Sequence, residues 1–476
     1  MSSCYAGVLV TTKTFGRSGR RLLYKCIPDN VELPHVLIPY AIPPSFNKAN
    51  KNKYIVFKYL DSSDRGEITE TLGDVDSFDA FCEYQLWRKH LNLSLSLFSN
   101  AVRQYKQTHE SNHIKTILET PKYAIEDLRQ PGCSVFSIDP HGCTDFDDAF
   151  SVSLTENNIA TVNVYIANVV LWLETFDLWS FMTDRVSTIY LPNKKLPLLP
   201  PLLSDTLCSL VQGHDRFAFM MSLTFDMTTK QVLFPPVYKH VLIHVNKNYV
   251  YEDPTLVDNP AYRVLSTLAE TDDSHEVVSF WMIKMNTECA KHMSKAEHMS
   301  KAVFRGTCDA APNRFFFEHS ASSYSKIAKP HVQLGVDSYV HITSPIRRLV
   351  DILNQILFCT FEISDGCQTF FDKWFDKLDV INAVTKDIRR VQMDCELLAM
   401  FDKLPPNSLF DGVLFDRCEL RHGVFEFTVY IEELKMFSRI HTTEFMENYT
   451  RSKVQIYVFQ DETRLCRKIR CKVHKV

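Results

Sequence analysis

The stretch SVFSIDPHGCTDFDDAF, residues 134–150, carries the strongest signal for the fold of this chain. Strand-like residues lead into it at 134–138 and out of it at 149–154, so its centre is expected to be a loop between buried strands. This loop contains four aspartates: Asp139, Asp145, Asp147 and Asp148. Carboxylates this close repel one another unless cations or hydrogen-bond donors offset their charge. Oxygen ligands suit hard divalent ions, so we predict a metal site for Mg²⁺, with Mn²⁺ as the alternative ion, rather than a solvated acidic turn.

A second informative stretch is SYVHITSPIRRLVDILNQIL, residues 338–357. It predicts a strand followed by a helix, with Ser344 as the N-cap and Pro345 at the first helical position. Apolar residues recur at helical spacing after that start, which predicts one buried helix face.

Two arginines, Arg347 and Arg348, fall in the first turn of this predicted helix. The helix dipole disfavours positive charge there, so the pair makes sense where an anion binds. Asp351 lies four residues beyond Arg347 on the same face, and we expect it to hold that guanidinium. A surface salt bridge on an ordinary helix is the alternative.

Together the two stretches resemble the ribonuclease II (RNB) family of processive exoribonucleases. The family loop has aspartates at a first position and then six, eight and nine residues later, and this chain keeps that spacing. The family's TSPIRR motif matches residues 343–348, and residues 187–210 are similar to a family segment that ends in LCSL. Because the matches run in the same order over roughly residues 124–357, they are far more specific than any single motif. The chain is identified as a divergent member with one cold-shock-like barrel.

The resemblance implies a magnesium-dependent 3′-to-5′ exoribonuclease that hydrolyses single-stranded RNA to nucleoside 5′-monophosphates. It implies Asp139, Asp145 and Asp148 as metal ligands. Asp147 is expected to act in catalysis, as a further ligand or by orienting the nucleophilic water. Arg347 is expected to neutralise charge on the phosphate in the transition state.

The resemblance also implies how RNA is bound. Tyr190 matches a family tyrosine that stacks on a base along the strand, and Tyr251 matches one that packs on the 3′-terminal nucleotide. Arg347 and Arg348 are expected to contact phosphates. Tyr249 lies two residues from Tyr251 on the same strand face, so it is an alternative for that role; ordinary core packing is the alternative for all three tyrosines.

Several positions depart from the family pattern. Ser279 and Phe280 stand where the family has glutamates, and Asn168 replaces an aspartate. Further departures are Gln355 and Ile356 in place of a His-Arg pair, and residues 304–312 in place of a basic stretch. Losing such supporting groups typically costs about 10–100-fold in activity, so we expect a slow or narrowed enzyme. The alternatives are a catalytically silent RNA-binding adaptor and, third, a nuclease that cuts internally.

Composition limits these hypotheses. A chain of 476 residues, 45% hydrophobic and 23% charged, is long enough for several domains. Its formal charge of −4 argues against a generally basic nucleic-acid binder, so RNA affinity requires a locally positive channel. The 14 cysteines form no CxxC pair and follow no signal peptide, which predicts reduced thiols and a cytoplasmic, intracellular location. No apolar stretch is long enough to span a bilayer, so we expect no membrane partner; protein partners are not indicated.

The predicted fold class is α/β (α+β), with an RNB catalytic domain flanked by small oligonucleotide-binding β-barrels. Five short strand-like runs predict a cold-shock-like barrel at 1–76, although a lid or scaffold without RNA contact is the alternative. Residues 77–123 are predicted as a helix capped by Ser77 and a linker near 108–122. The catalytic domain is assigned to 124–403, and an RNA-binding barrel to 404–476.

The C-terminal assignment depends on two alternating patterns. Apolar residues at 425, 427, 429 and 431 predict a half-buried strand. In the last strand, Ile469, Cys471 and Val473 alternate with basic residues at 468, 470, 472 and 474. A basic face suits an RNA-binding barrel, and a solvated edge strand protected by lysines is the alternative.

Overall fold

The computed structural model describes residues 4–42, 50–60, 64–108, 113–129, 134–295, 301–307, 322–401, 403–405, 408–420, 423–434, 436–461 and 466–474. The chain forms two compact units. The first contains residues 1–92, 190–195 and 387–476, and the second contains residues 93–189 and 196–386. The domain boundaries that we placed after residues 76, 123 and 403 stay predictions.

The N-terminal part of the first unit is a five-stranded barrel. Its strands are β1 (Tyr5–Ser18), β2 (Arg21–Pro28), β3 (Val36–Tyr40), β4 (Lys53–Tyr59) and β5 (Gly66–Asp74). They pair in the order β3-β2-β1-β4-β5, and a bridge from Leu37 to Arg65 brings the two ends of the sheet together. At Gly7 the walls approach so closely that a Cβ would lie 2.8 Å from the Cys26 sulfur. Glycine is therefore required there.

Helices follow the barrel. As predicted, Ser77 caps α1 (Phe78–Arg88), because its side chain accepts a hydrogen bond from the Ala80 N–H. A helix that was not expected, α2 (Ser96–Thr108), precedes the predicted linker near 108–122, and a short helix, α3 (His113–Leu118), lies within it. In α2, Phe98 and Val102 are four residues apart and fully buried, so packing of one face favours helix here.

The second unit is built on a seven-stranded sheet in the order β13-β12-β9-β8-β7-β14-β6. Its strands are β6 (Glu126–Asp127), β7 (Val135–Asp139), β8 (Asp148–Leu154), β9 (Ile159–Ala167), β12 (Asp215–Asp226), β13 (Gln231–Val232) and β14 (Val237–Val250). β12 also pairs with β14, so the sheet closes on itself. A separate hairpin consists of β10 (Ile189–Leu191) and β11 (Lys194–Leu196). The strands expected on either side of the acidic loop are β7 and β8.

Helices and a small hairpin complete this unit. They are α4 (Val169–Thr175), α5 (Pro260–Ala269), α6 (Ser274–Met293), β15 (Phe304–Thr307), β16 (Ser322–Ser325), α7 (Leu349–Ile356), α8 (Asp365–Phe375) and α9 (Leu378–Phe401), of which α9 runs on into the first unit. The sheet shares one core with α5 and α6, in which Trp281 of α6 is completely buried. Burying a side chain of this size contributes roughly 1.5–3 kcal/mol or more to stability.

The C-terminal part of the first unit is a second five-stranded barrel. Its strands are β17 (Leu409–Glu419), β18 (Phe425–Ile431), β19 (Met436–Thr442), β20 (Arg451–Asp461) and β21 (Cys466–Val473). Phe427, Val429 and Ile431 are buried, as their alternation predicts. In β21, Cys471 is buried while Arg470 and Lys472 are exposed; the side chains at 468 and 469 lie outside the described part of the chain. The α/β fold with flanking barrels is therefore confirmed. In the described residues, no helix combines the length and apolar character needed to cross a membrane.

Candidate active site

The acidic loop lies at one end of the central sheet, where β7 ends at Asp139 and β8 begins at Asp148. A buried serine, Ser209, holds it in place. The Ser209 hydroxyl donates to the Thr144 carbonyl and accepts from the Phe146 N–H, both at 2.9 Å. Hydrogen bonds from the LCSL segment thus fix the path of the loop.

The four aspartates differ in burial. Asp139 and Asp147 are only 8% and 4% exposed, whereas Asp145 and Asp148 are partly exposed. Burial and the charge of Asp145 raise the pKa of Asp139 to about 6. Burial raises the pKa of Asp147 to about 7, although Arg347 opposes the shift. Burial and the charges of Asp139 and Asp147 raise the pKa of Asp148 well above its ordinary value. The carboxylates therefore repel one another, and a cation would relieve that repulsion.

The residues that fit a metal ion best are Asp139 and Asp148. In each of them the Oδ2 atom is buried and has no hydrogen-bond partner among the described residues. Buried acceptors without a donor are rare in folded proteins, and a bound cation would satisfy both of these oxygens. Within the described ranges no three His, Cys, Asp or Glu side chains converge as a complete metal centre. Mg²⁺ usually takes only a few carboxylates and completes its coordination with substrate phosphate and water, so such a partial ligand set suits it.

Arg347 comes from a tight turn and not from a helix. The N–H groups of Arg347 and Arg348 both donate to the Ser344 carbonyl, at 3.2 and 3.0 Å. Helix α7 begins only at Leu349, so the prediction of Ser344 as the N-cap and Pro345 as the first helical residue is wrong.

The turn persists because a neighbouring segment pairs with it. Arg348 is extended, with φ −135° and ψ 127°. The Val186 carbonyl accepts from the Leu349 N–H, and the Thr188 N–H donates to the Arg347 carbonyl, both at 2.9 Å. These bonds satisfy backbone groups that a longer helix would otherwise use.

Asp147 connects the acidic loop to this turn. Its Oδ1 accepts from the Ile346 N–H at 2.9 Å, and its Oδ2 accepts from Arg347 Nε at 3.1 Å. Arg347 Nη2 also donates to Ser344 Oγ at 2.9 Å. The guanidinium is therefore fixed beside the acids, while 44% of the Arg347 side chain remains exposed to a substrate.

Arg348 belongs to a separate ion pair. Its Nε lies 2.8 Å from Asp351 Oδ2, and its Nη2 donates to Asp351 Oδ1 at 2.8 Å. Asp351 is completely buried and also accepts from the Ser344 N–H at 2.7 Å. The prediction that Asp351 holds Arg347 is therefore wrong, because Asp351 pairs with Arg348 whereas Asp147 holds Arg347. Asp351 stabilises the turn from the other side.

Tyr251 lies next to the acidic loop. Its N–H donates to the Asp139 carbonyl at 3.0 Å, immediately after β14 pairs with β7. Burial and the charges of Asp148 and Asp139 raise the pKa of its hydroxyl. The His275 ring stacks on the Tyr251 ring, with centroids 3.8 Å apart and an angle of 11° between the planes.

The other two tyrosines have different environments. Tyr249 packs edge-on against Phe136, and Lys247 Nζ lies 4.2 Å from its ring centroid. Tyr249 therefore supports the core. Tyr190 is exposed on β10 and belongs to the first unit, whereas the acidic loop belongs to the second. Its role in RNA binding stays a prediction.

Two departures from the family pattern stabilise the fold. Asn168 caps α4 by accepting a backbone N–H at 3.1 Å, and its Nδ2 lies 2.9 Å from His240 Nδ1. Gln355 of α7 accepts from the Val170 N–H at 3.1 Å and donates to the Ala167 carbonyl at 3.0 Å. Both side chains are completely buried, so their amides join α4 to its neighbours.

The positions of the missing glutamates are open to solvent. Ser279 and Phe280 are exposed on α6. Farther along this helix, Asn286 donates to the Tyr339 hydroxyl at 3.0 Å and to Thr343 Oγ1 at 3.2 Å. The side-chain amide of Asn286 thus joins α6 to the segment that precedes the Arg347 turn. Positions 279 and 280 of the same helix carry no carboxylate.

Sequence reasoning missed Ser209, His275 and Asn286. Ser209 lies within the LCSL match, which was the available signal, but its hydrogen bonds depend on the folded loop. His275 gave no signal, because only the start of α6 beside Tyr251 brings the two rings together.

Known proteins share this fold and these motifs. The RNB domain profile matches residues 125–255 and 318–361. Ribonuclease R of Chlamydia muridarum is 25% identical over 356 residues, which is 56% of this chain and 51% of that protein. The chain thus spans about half the length of the curated relatives it matches. The RNB domain profile therefore matches the part of the chain that carries the acidic loop and the Arg347 turn, and the chain is similar to RNB family ribonucleases.

Two solved structures show the same fold at low sequence identity. Mycoplasma genitalium RNase R, in complex with ribose methylated single-stranded RNA, has a TM-score of 0.71 and 15% identity, with 98% of this chain and 89% of that chain covered. Yeast Ssd1, a pseudonuclease, has a TM-score of 0.63 and 13% identity, with 96% and 68% covered. The fold is therefore shared by at least one protein described as a pseudonuclease.

Proposed function

We propose that this chain is a divalent-cation-dependent exoribonuclease that hydrolyses single-stranded RNA from the 3′ end to nucleoside 5′-monophosphates. The observation that carries the proposal is Asp147, which joins the acidic loop to the Arg347 turn through two hydrogen bonds. An exposed guanidinium is thereby held beside buried carboxylate oxygens that have no hydrogen-bond partner in the described residues. A cytoplasmic location is part of the proposal.

Each residue has a distinct task in this proposal. Asp139 and Asp148, with Asp145 beside them, would hold Mg²⁺ or Mn²⁺, which when bound activates water and offsets charge on the leaving oxygen. Arg347 neutralises charge that develops on the phosphate, and such donors contribute roughly 3–4 kcal/mol to a transition state. Asp147 positions Arg347, because both of its oxygens already accept N–H donors.

The second candidate function is a catalytically silent RNA-binding adaptor. The similarity to Ssd1 favours it, and so does the exposure of Ser279 and Phe280, where the family has glutamates. The retained acidic loop and the fixed Arg347 favour the enzyme.

The product pattern of a 5′-labelled RNA incubated with Mg²⁺ distinguishes these functions. We expect the label to end in a short residual oligomer, because the site is proposed to release unlabelled mononucleotides from the 3′ end. A spread of intermediate fragments would indicate internal cutting. Full-length RNA that is bound but never shortened would support the adaptor and contradict the enzyme.

Replacing Tyr251 by alanine is expected to weaken RNA binding by roughly tenfold, since stacking on one base is worth about 1–3 kcal/mol. The affinity of a short single-stranded RNA, measured without Mg²⁺ so that no turnover occurs, tests this. Thermal unfolding of the same variant should show a moderate loss of stability, because the Tyr251 ring is partly buried against the core.

Tyr249→Ala is the matched control for this prediction. Its ring packs edge-on against Phe136, so the variant should lose stability as Tyr251→Ala does but leave RNA affinity nearly unchanged. The reverse result, with RNA affinity lost in Tyr249→Ala and kept in Tyr251→Ala, would show that the two roles are exchanged.

A further inference from the structure

A group of aromatic and basic side chains lies beside the segment that leads into the Arg347 turn, and we call it the Arg305 cluster: Arg305, Tyr324, His331, Tyr339 and His341. The Arg305 guanidinium carbon lies 5.6 Å from the Tyr324 ring centroid. The Tyr324 hydroxyl and His341 Nδ1 are 2.8 Å apart. The Tyr339 ring contacts both histidine rings, at centroid distances of 5.4 and 5.6 Å. These contacts pack β15, β16, His331 and the segment 339–341 against one another.

The backbone holds Arg305 firmly. Its N–H donates to the Tyr339 carbonyl at 2.8 Å, and its guanidinium donates to Ser322 Oγ across the β15–β16 hairpin. At the next position, a Cβ on Gly306 would lie 2.6 Å from the Lys329 Cβ and 3.1 Å from the Lys329 carbonyl oxygen. Only glycine permits this close packing, so the strand and the 329–331 segment fix one another.

The cluster has an excess of positive charge. Arg347 pairs with Asp147 and Arg348 pairs with Asp351, but Arg305 has no carboxylate within salt-bridge distance in the described ranges. Burial lowers the pKa of His341 well below its ordinary value, and all three arginines add to this effect. The imidazole is therefore neutral and leaves the arginine charge undiminished.

One further polar atom in the cluster, His331 Nδ1, forms no hydrogen bond with the described residues. His331 is 5% exposed, and its Nδ1 has no hydrogen-bond partner in the described part of the chain. Burial and the Arg305 charge keep the pKa of His331 low, so its ring is neutral as well. The Arg305 guanidinium is half-buried and no described carboxylate neutralises it, and His331 Nδ1 has no partner among the described residues. Leaving both groups in this state costs free energy unless an anion occupies the site.

We propose that the Arg305 cluster binds an internal phosphate of the RNA strand whose terminal linkage is held at Arg347. The Arg305 N–H donates to the carbonyl of Tyr339, in the segment that leads into the Arg347 turn, so the cluster adjoins the place where the terminal linkage is proposed to bind. Arg305 is thus a positioning residue, and the inference rests on the proposed function. The general basis is that guanidinium groups bind phosphate oxygens through paired charge-assisted hydrogen bonds.

The test is the salt dependence of RNA binding by the full chain, measured with a single-stranded oligoribonucleotide in a chelating buffer. We expect Arg305→Gln to bind roughly tenfold more weakly and to lower the slope of log affinity against log salt by about 0.7, the value for one phosphate contact on a single strand. Arg305→Lys should keep most of the slope because it keeps the charge. Arg263→Gln makes the same charge change on the exposed face of α5 and should behave as wild type.

The outcomes separate the cluster from the proposed function. Wild-type affinity and slope in a folded Arg305→Gln variant would overturn the role of Arg305 while RNA hydrolysis stands. Inorganic phosphate, at constant ionic strength, is a second probe of the cluster. If it inhibits RNA hydrolysis by wild type but not by Arg305→Gln, while both proteins bind RNA equally well, the cluster takes free phosphate. That result would overturn its assignment to RNA. A wild-type chain that binds no RNA would overturn both. If Arg305→Gln fails to fold, Arg305→Lys decides, because lysine keeps the charge but loses the paired guanidinium donors. The proposal then expects weaker RNA binding with most of the slope kept, and an affinity equal to that of wild type and Arg263→Gln would contradict the assignment.

Discussion

Replacing Asp147 by asparagine is expected to lower RNA hydrolysis by roughly 10²–10³-fold. An asparagine oxygen can still accept from the Ile346 N–H, but the amide nitrogen then faces Arg347 Nε, so two donors oppose each other at a position that is 4% exposed. Arg347 loses its fixed position, and the transition state loses part of its charge stabilisation. Single-turnover hydrolysis with Mg²⁺, together with RNA affinity in a chelating buffer, measures the two effects separately.

RNA affinity should stay within a few-fold of wild type, because the stacking and phosphate contacts remain. Asp258→Asn, on an exposed turn of the same unit, makes the same charge change and should leave both quantities unaltered. A parallel loss of affinity and rate in Asp147→Asn would mean that Asp147 supports the fold of the whole site, and the positioning role would be wrong.

Replacing Asp139 by asparagine should have a comparably large effect on rate and a distinct effect on stability. In the metal-free protein, Asp139 is a buried carboxylate whose Oδ2 has no hydrogen-bond partner among the described residues, and Asp145 adds a like charge. Removing its charge should leave the melting temperature unchanged or raise it. Mg²⁺ should raise the melting temperature of wild type, because a ligand that binds only the folded state stabilises it, and this rise should be largely lost in Asp139→Asn.

Thermal unfolding with and without Mg²⁺ is the measurement, and it does not depend on activity. Asp148→Asn should behave like Asp139→Asn, since its Oδ2 is also buried without a partner among the described residues. Asp258→Asn should respond to Mg²⁺ as wild type does. A strongly destabilised Asp139→Asn protein in the chelating buffer would show that the carboxylate serves the fold and would argue against a metal ligand.

The sequence was sufficient for the parts of the site that depend on local spacing. The acidic loop between two strands follows from apolar runs on either side of it, and β7 and β8 lie there. Tyr249 and Tyr251 have the same strand period, so the sequence leaves them as alternatives. Tyr251 follows the last residue of β14 and its N–H donates to the Asp139 carbonyl, and its role in RNA binding stays a prediction.

The prediction failed where distant segments override local preference. Ser344 and Pro345 are good helix-starting residues, yet a tight turn follows Ser344, and pairing with residues 186–188 holds Arg348 extended, so the helix begins only at Leu349. The partner of Asp351 was misassigned for the same reason, because helical spacing does not apply before Leu349. The Arg305 cluster was out of reach as well, since it is assembled from β15, β16 and the segment before the turn.

The most direct test of the account is release of nucleoside 5′-monophosphates from single-stranded RNA by the purified chain. Chromatography should show mononucleotides accumulating with Mg²⁺ and wild-type protein, and almost none with Asp147→Asn or with chelator, although each of these still retains RNA. If wild type retains RNA with Mg²⁺ or Mn²⁺ and releases no more mononucleotide than Asp147→Asn does, the carboxylates and Arg347 do not catalyse hydrolysis and the chain is a silent RNA-binding protein.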